Sequence, residues 1–161
     1  MTGVALADRP PACFASTMGD GMIRTDGKPR ARRVRHRHQT MALVRLGAYP
    51  TAGMVDTGVK RTIIDRELAE RAHAQPINRN TTMRTAGRVL RGRLVRINIS
   101  VVHGPCGATV EALVPDEGEP FRKGLVLGLD FLRAAGVRID TETGEVCCAS
   151  DRTAGRRRRS T

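Results

Sequence analysis

The chain has 161 residues, a hydrophobic fraction of 40% and a net charge of +12, with aromatics at only 2%. That length suits one domain with flanking tails, and its core has to be built from Val, Leu, Ile and Ala. No stretch reaches the ~18 continuous apolar residues of a membrane span, and the start, MTGVALADRPPACF, lacks the pattern of a signal peptide. The expectation is an intracellular, cytoplasmic protein without a membrane partner.

The charge is unevenly spread. Residues 1–40 hold eight Lys/Arg against three Asp/Glu, residues 149–161 five against one, and residues 41–148 fifteen against twelve. The first forty residues (GKPRARRVRHRHQ within them) have neither helical nor strand period. They are expected to form a basic disordered segment containing His36 and His38, and 149–161 an Arg-rich disordered tail.

In chain order, MALVRLGAYPTAGMV predicts two strands around a Gly/Tyr/Pro turn, a hairpin that feeds Asp56. TIIDRELAERAHAQ changes to helical spacing. Asp65 is the expected N-cap, Glu67 lies near the positive end of the helix dipole, Ile64, Leu68 and Ala72 share one face, and His73 falls near the end. TTMRTAGRVLRG follows, with glycines at 87 and 92, and RLVRINISVV alternates over most of its length as a half-buried strand does. GATVEALVP is a further strand, with His103 in the loop before it. GLVLGLDFLRAAGVRID ends a strand at a glycine and opens a short helix, with Asp130 as expected N-cap and Gly136 at its C-terminal cap. VRIDTETGEVCCA closes the domain as a strand pair, with Asp140 as a turn former and the turn at Glu142 to Gly144. The fold class is all-β with one or two short helices.

The four cysteines (Cys13, Cys106, Cys147, Cys148) lack metal-ligand spacing, and adjacent cysteines pair poorly with each other. They are expected to be reduced thiols, with no metal site and no cofactor.

The chemistry concentrates in GMVDTGVKRTII. Two apolar residues lead into Asp56, Thr57 and Gly58, and a carboxylate so placed is costly unless it is paired or used. This stretch resembles the catalytic strand-turn of the retropepsin-like aspartic proteases of retroviruses and retrotransposons, with Thr62 and Ile63 filling the last two places of its pattern. LVLGLDFLRAAGVRID resembles that family's second motif, and its Gly-Leu-Asp-Phe-Leu wording is most similar to retrotransposon-type members. The likeness covers about residues 41–148, in the right order.

The resemblance implies a closed β-sheet domain that forms half of a two-fold aspartic protease. Asp56, Thr57 and Gly58 would be catalytic. Two carboxylates ~3 Å apart share one proton, so one can act as base to a water while the other delivers a proton. The sequence contains one D-T-G, so the second Asp56 must come from another chain. An obligate homodimer follows, with the site on its axis. The family's flap corresponds to MRTAGRVL, with Ala86 and Gly87 at the tip. Val59, Thr85, Ala86, Gly87, Val126 and Leu127 would touch an extended peptide or polyprotein substrate in aliphatic pockets. Three positions depart from the pattern. Val59 stands where the family has Ala or Ser and would crowd the groove; Lys60 and Arg61 replace acidic groups that anchor substrate backbone. The rival reading is a catalytically inactive protease-like dimeric scaffold whose basic tails bind nucleic acid without sequence preference.

Overall fold

The alternation in MALVRL becomes a strand, β2 (Met41–Leu46), that buries Ala42, Val44 and Leu46 and exposes Leu43 and Arg45. The computed structural model of the chain describes residues 13–14 (backbone alone), 40–85, 87–102, 104–121, 124–139 and 145–149. Apart from residues 13–14, 40 and 149, the expected tails lie outside the described residues, as do His36, His38, His103, Asp140 and the turn at 142–144.

Strand β2 turns through Gly47, at φ +59, into β3 (Tyr49–Val55), pairing antiparallel from Leu46↔Tyr49 to Met41↔Met54. The turn is therefore Gly47–Ala48, and Tyr49 and Pro50 already belong to the strand. A left-handed residue at that position is where glycine avoids a Cβ penalty. Strand β4 (Ile63–Ile64) leads to helix α1 (Arg66–Arg71). The Asp65 carboxylate caps this helix, accepting from Leu68 N–H at 2.7 Å, and also accepts from Gly124 N–H. His73 follows α1 in the left-handed region, at φ 51. Replacing Asp65 with Ala removes both contacts and is expected to cost about 1–2 kcal/mol, read from urea unfolding midpoints.

Strands β5 (Gln75–Thr85) and β6 (Arg88–Val101) form the long hairpin expected around Gly87, which turns with φ +77. The two stretches read separately as hairpin arm and strand prove to be one continuous β6. Strand β7 (Gly107–Pro115) pairs along β6, β8 (Leu125–Leu127) leads to helix α2 (Leu129–Ala134), and β9 (Val137–Ile139) follows. The left-handed Gly136, at φ 67, sits one residue beyond the α2 C-cap, Ala135. Strand β10 (Val146–Cys148) pairs with β9 and with a short strand, β1 (Cys13–Phe14).

The main sheet runs β2-β3-β8-β4-β7-β6-β5, and β2 also pairs with β6 through Val44↔Val101, which closes it. This is the all-β class with two short helices. The described residues contain no helix long and apolar enough to cross a membrane.

The core is aliphatic, as the composition requires. Val44, Leu46, Ile64, Ile99 and Leu127 pack with Phe131 in one cluster. A second cluster (Val59, Ile63, Met83, Leu90, Leu94, Leu113, Val126) fastens the β5–β6 hairpin, as far as the Met83–Leu90 pair near its turn, to β4, β7 and β8. Burying each large aliphatic side chain contributes about 1.5–3 kcal/mol.

The reduced-thiol expectation is corrected. Cys106, just before β7, and Cys148 in β10 form a disulfide with Cα atoms 5.6 Å apart, and Cys147 is also disulfide-bonded. Adjacent cysteines on a strand point to opposite faces, so each can bond elsewhere, and 42 residues of separation hide the pairing from sequence spacing. Disulfides persist in oxidising compartments; the cysteines no longer support a cytosolic setting.

Candidate active site

Strand β3 lies parallel to β8 in the register Val55↔Leu127, so the residue after it, Asp56, emerges beside the end of β8. Its N–H donates to the Leu127 carbonyl at 3.1 Å. The half-buried Asp56 carboxylate is then fixed by its own turn: Oδ1 accepts from Gly58 N–H at 2.8 Å. A Cβ at residue 58 would come within 3.1 Å of that oxygen, so glycine gives the donor its close approach. Thr57 and Gly58 are exposed, and the Thr57 hydroxyl has no hydrogen-bond partner among the described residues.

The D-T-G turn is tied to α2 rather than left as a free loop. Leu129 N–H donates to the Val59 carbonyl at 2.8 Å and Asp130 N–H to the Lys60 carbonyl at 3.1 Å. Beneath these lies Thr62, fully buried at 0% exposure and the one buried polar residue among those described. Its N–H and its hydroxyl each donate to Asp130 Oδ1 at 2.8 Å, and its Oγ1 accepts from Gly128 N–H at 3.2 Å. Asp130 Oδ1 also accepts from Phe131 N–H at 2.8 Å. Charge-assisted bonds of this kind are about twice as strong as neutral ones.

Asp130 is therefore not the N-cap expected from sequence. The cap is Gly128, without a side-chain bond, and Asp130 sits in the first turn. The helix begins two residues earlier than an Asp130 cap would require, and the Asp130 carboxylate reaches across to Thr62 in the chain after the D-T-G. Gly128 permits the approach: a Cβ there would lie 2.6 Å from the Arg61 carbonyl carbon.

A groove of about 490 Å³ opens in front of Asp56. Of the residues expected to touch substrate, Val59, Thr85 and Val126 line it together with Asp56. Gly87 lies at the exposed hairpin turn and is not among the lining residues, and Ala86 lies outside the described residues. Leu127 does not face the groove. It is fully buried in the main core, and its carbonyl positions Asp56 instead. Val59 is 6% exposed and packs into the second cluster with Ile63 and Leu90, so most of its β-branched bulk is absorbed by the core.

Lys60 and Arg61 do not line the groove. Arg61 Nη1 donates to the Glu111 carbonyl at 3.0 Å and pairs with the Glu111 carboxylate at 3.8 Å, turned toward β7. The expected exchange of substrate-anchoring acceptors for donors does not apply to Arg61.

Sequence reading missed Arg88, Leu90 and Phe121, which also line the groove. For the first two the signal was present: strand alternation from Met83 and Thr85 across the Gly87 turn puts Arg88 and Leu90 on the same face.

A closed β domain with an Asp-Thr-Gly turn at an apolar groove, lined on one side by Thr85, Arg88 and Leu90 of the β5–β6 hairpin, suits an aspartic protease domain. The sequence matches the aspartyl protease family model over residues 41–131, more than half of the chain. The chain belongs to the aspartyl protease family. Among curated proteins, no match to the sequence is found.

Proposed function

We propose that the protein is an aspartic endopeptidase of the retropepsin-like type, active as a homodimer that joins two copies of Asp56 on its axis. One observation carries this reading. The single D-T-G holds Asp56 by the Gly58 N–H at 2.8 Å beside the groove, next to an exposed Thr57 whose hydroxyl has no partner among the described residues. This arrangement supports reading the turn as one half of a two-carboxylate site.

In the completed pair, one carboxylate takes a proton from a water whose oxygen attacks the peptide carbonyl carbon. The other gives its proton to the carbonyl oxygen. In the second step the nitrogen receives a proton, the C–N bond breaks, and a carboxylic acid and an amine leave. The Thr57 hydroxyl would bond across to the partner turn and hold the carboxylates coplanar. Substrate would lie extended between the β5–β6 hairpin and the floor, its side chains reaching the groove alternately. The retrotransposon-type resemblance makes a polyprotein the expected natural substrate. The domain would span 41–148, and the basic flanks would serve as interaction arms with affinity for nucleic acid.

The test is cleavage of a mixed peptide library by the purified chain at mildly acidic pH over a dilution series. Cleavage between apolar residues, falling more steeply than linearly on dilution, is the expected result. No cleavage by a chain that sediments as a dimer would overturn the proposal in favour of a non-catalytic scaffold.

A further inference from the structure

Among the described residues lining the groove only two are ionisable, Asp56 and Arg88. Thr85 pairs with Arg88 and Met83 with Leu90 in the hairpin register. Because side chains alternate along a strand, Arg88 shares the groove-facing side with the buried Leu90. Arg88 is itself exposed, at the groove's edge, and Val89 and Arg91 take the other side, both exposed as well. Three arginines of the domain, Arg61, Arg71 and Arg96, have ion-pair partners; Arg88 has none among the described residues. Apart from Asp56 and Thr85, the side chains that line the groove with it are apolar, Met54, Val59, Leu90, Phe121 and Val126 among them.

An unpaired guanidinium beside apolar walls offers a planar fork of donors that matches a carboxylate. The rest of the hairpin provides no internal competitor. Residues 75–101 contain six arginines and no Asp or Glu, and Arg84, Arg91 and Arg93 are exposed. A surface of one sign concentrates ligands of the other sign and speeds their encounter.

We propose that Arg88 is a specificity-determining residue that selects polypeptides with an Asp or Glu side chain, flanked by apolar residues, beneath the hairpin. This rests on the peptidase reading above and names its substrate class. The cation holds the acidic side chain; it takes no part in proton transfer.

The test uses the full chain carrying Asp56→Asn, which binds without turnover, and fluorescent octapeptides of apolar residues. One Glu is moved along the peptide, each version is matched by a Gln isostere and a Lys version, and anisotropy is read at low and at physiological salt. At one position Glu is expected to bind about tenfold tighter than Gln, as charge-assisted bonding predicts. Adding Arg88→Gln should abolish that difference, and Arg88→Glu should move the preference to Lys. Arg91→Gln, on the other side of the hairpin, should preserve it. Equal binding of Glu and Gln peptides, or a preference that survives Arg88→Gln, would overturn the assignment while sparing the peptidase reading. Failure of every peptide to bind would instead contradict the groove as a peptide site, and both readings with it.

Discussion

Replacing Asp56 with Asn is expected to lower kcat/KM for peptide cleavage by about 10³-fold or more and to leave the melting temperature nearly unchanged. Asn is almost isosteric, and its side-chain oxygen can still accept from Gly58 N–H, the one hydrogen bond that the carboxylate makes among the described residues. The side chain is half-buried and the turn backbone is held independently by the Leu127 carbonyl. What disappears is proton exchange. An amide can neither take a proton from water nor return one, and general acid–base catalysis contributes about 10²–10⁴-fold. Peptide kinetics and a thermal melt on the same preparation check this. A variant that keeps a tenth of the activity would remove Asp56 from the chemistry, and one that loses activity and fold together would show a structural role.

The largest effect on stability is expected from Asp130→Ala, about 3 kcal/mol out of the ~5–15 that a domain of this kind has in total. Asp130 Oδ1 accepts from Thr62 N–H, the Thr62 hydroxyl and Phe131 N–H, each at 2.8 Å. Thr62 is fully buried, so its donors cannot turn to water, and each unmet buried donor costs about 1–3 kcal/mol. Local relaxation around the truncated side chain keeps the sum below three full penalties. Asp130→Asn retains a neutral acceptor and should lose about half as much. Urea unfolding with an unchanged m-value would measure both. Activity should fall as well, because α2 holds the D-T-G loop through the Val59 and Lys60 carbonyls. A drop of only a few tenths of a kcal/mol for Asp130→Ala would mean that Thr62 finds another acceptor.

Strand periodicity and turn glycines made most of the fold legible. MALVRL forms a strand as read, Gly87 turns the long hairpin, and Asp65 caps α1. The two motifs also pointed correctly to one place, since β3 and β8 run side by side. The rest depends on which strands meet. Asp130 next to a helix start reads as a cap; its bond to Thr62 crosses 68 positions of sequence and follows only from the β4–β8 pairing. Leu127 reads as a groove residue by analogy with Val126, yet neighbours on a strand face opposite ways, and Leu127 turns into the core. Cys106 and Cys148 meet because the start of β7 lies against β10, a proximity that no spacing rule contains. Arg88 was legible by alternation but was passed over beside the small residues of the turn.

The central claim, that two Asp56 carboxylates from different chains form one site, is tested most directly by mixing. Wild-type and Asp56→Asn chains are unfolded together, refolded at a fixed total concentration and assayed on one peptide. In an obligate two-fold site, random pairing makes activity follow the square of the wild-type fraction, so an equal mixture retains about a quarter. Activity that falls only in proportion, to about half, would mean that each chain carries a complete site of its own and would contradict a shared pair.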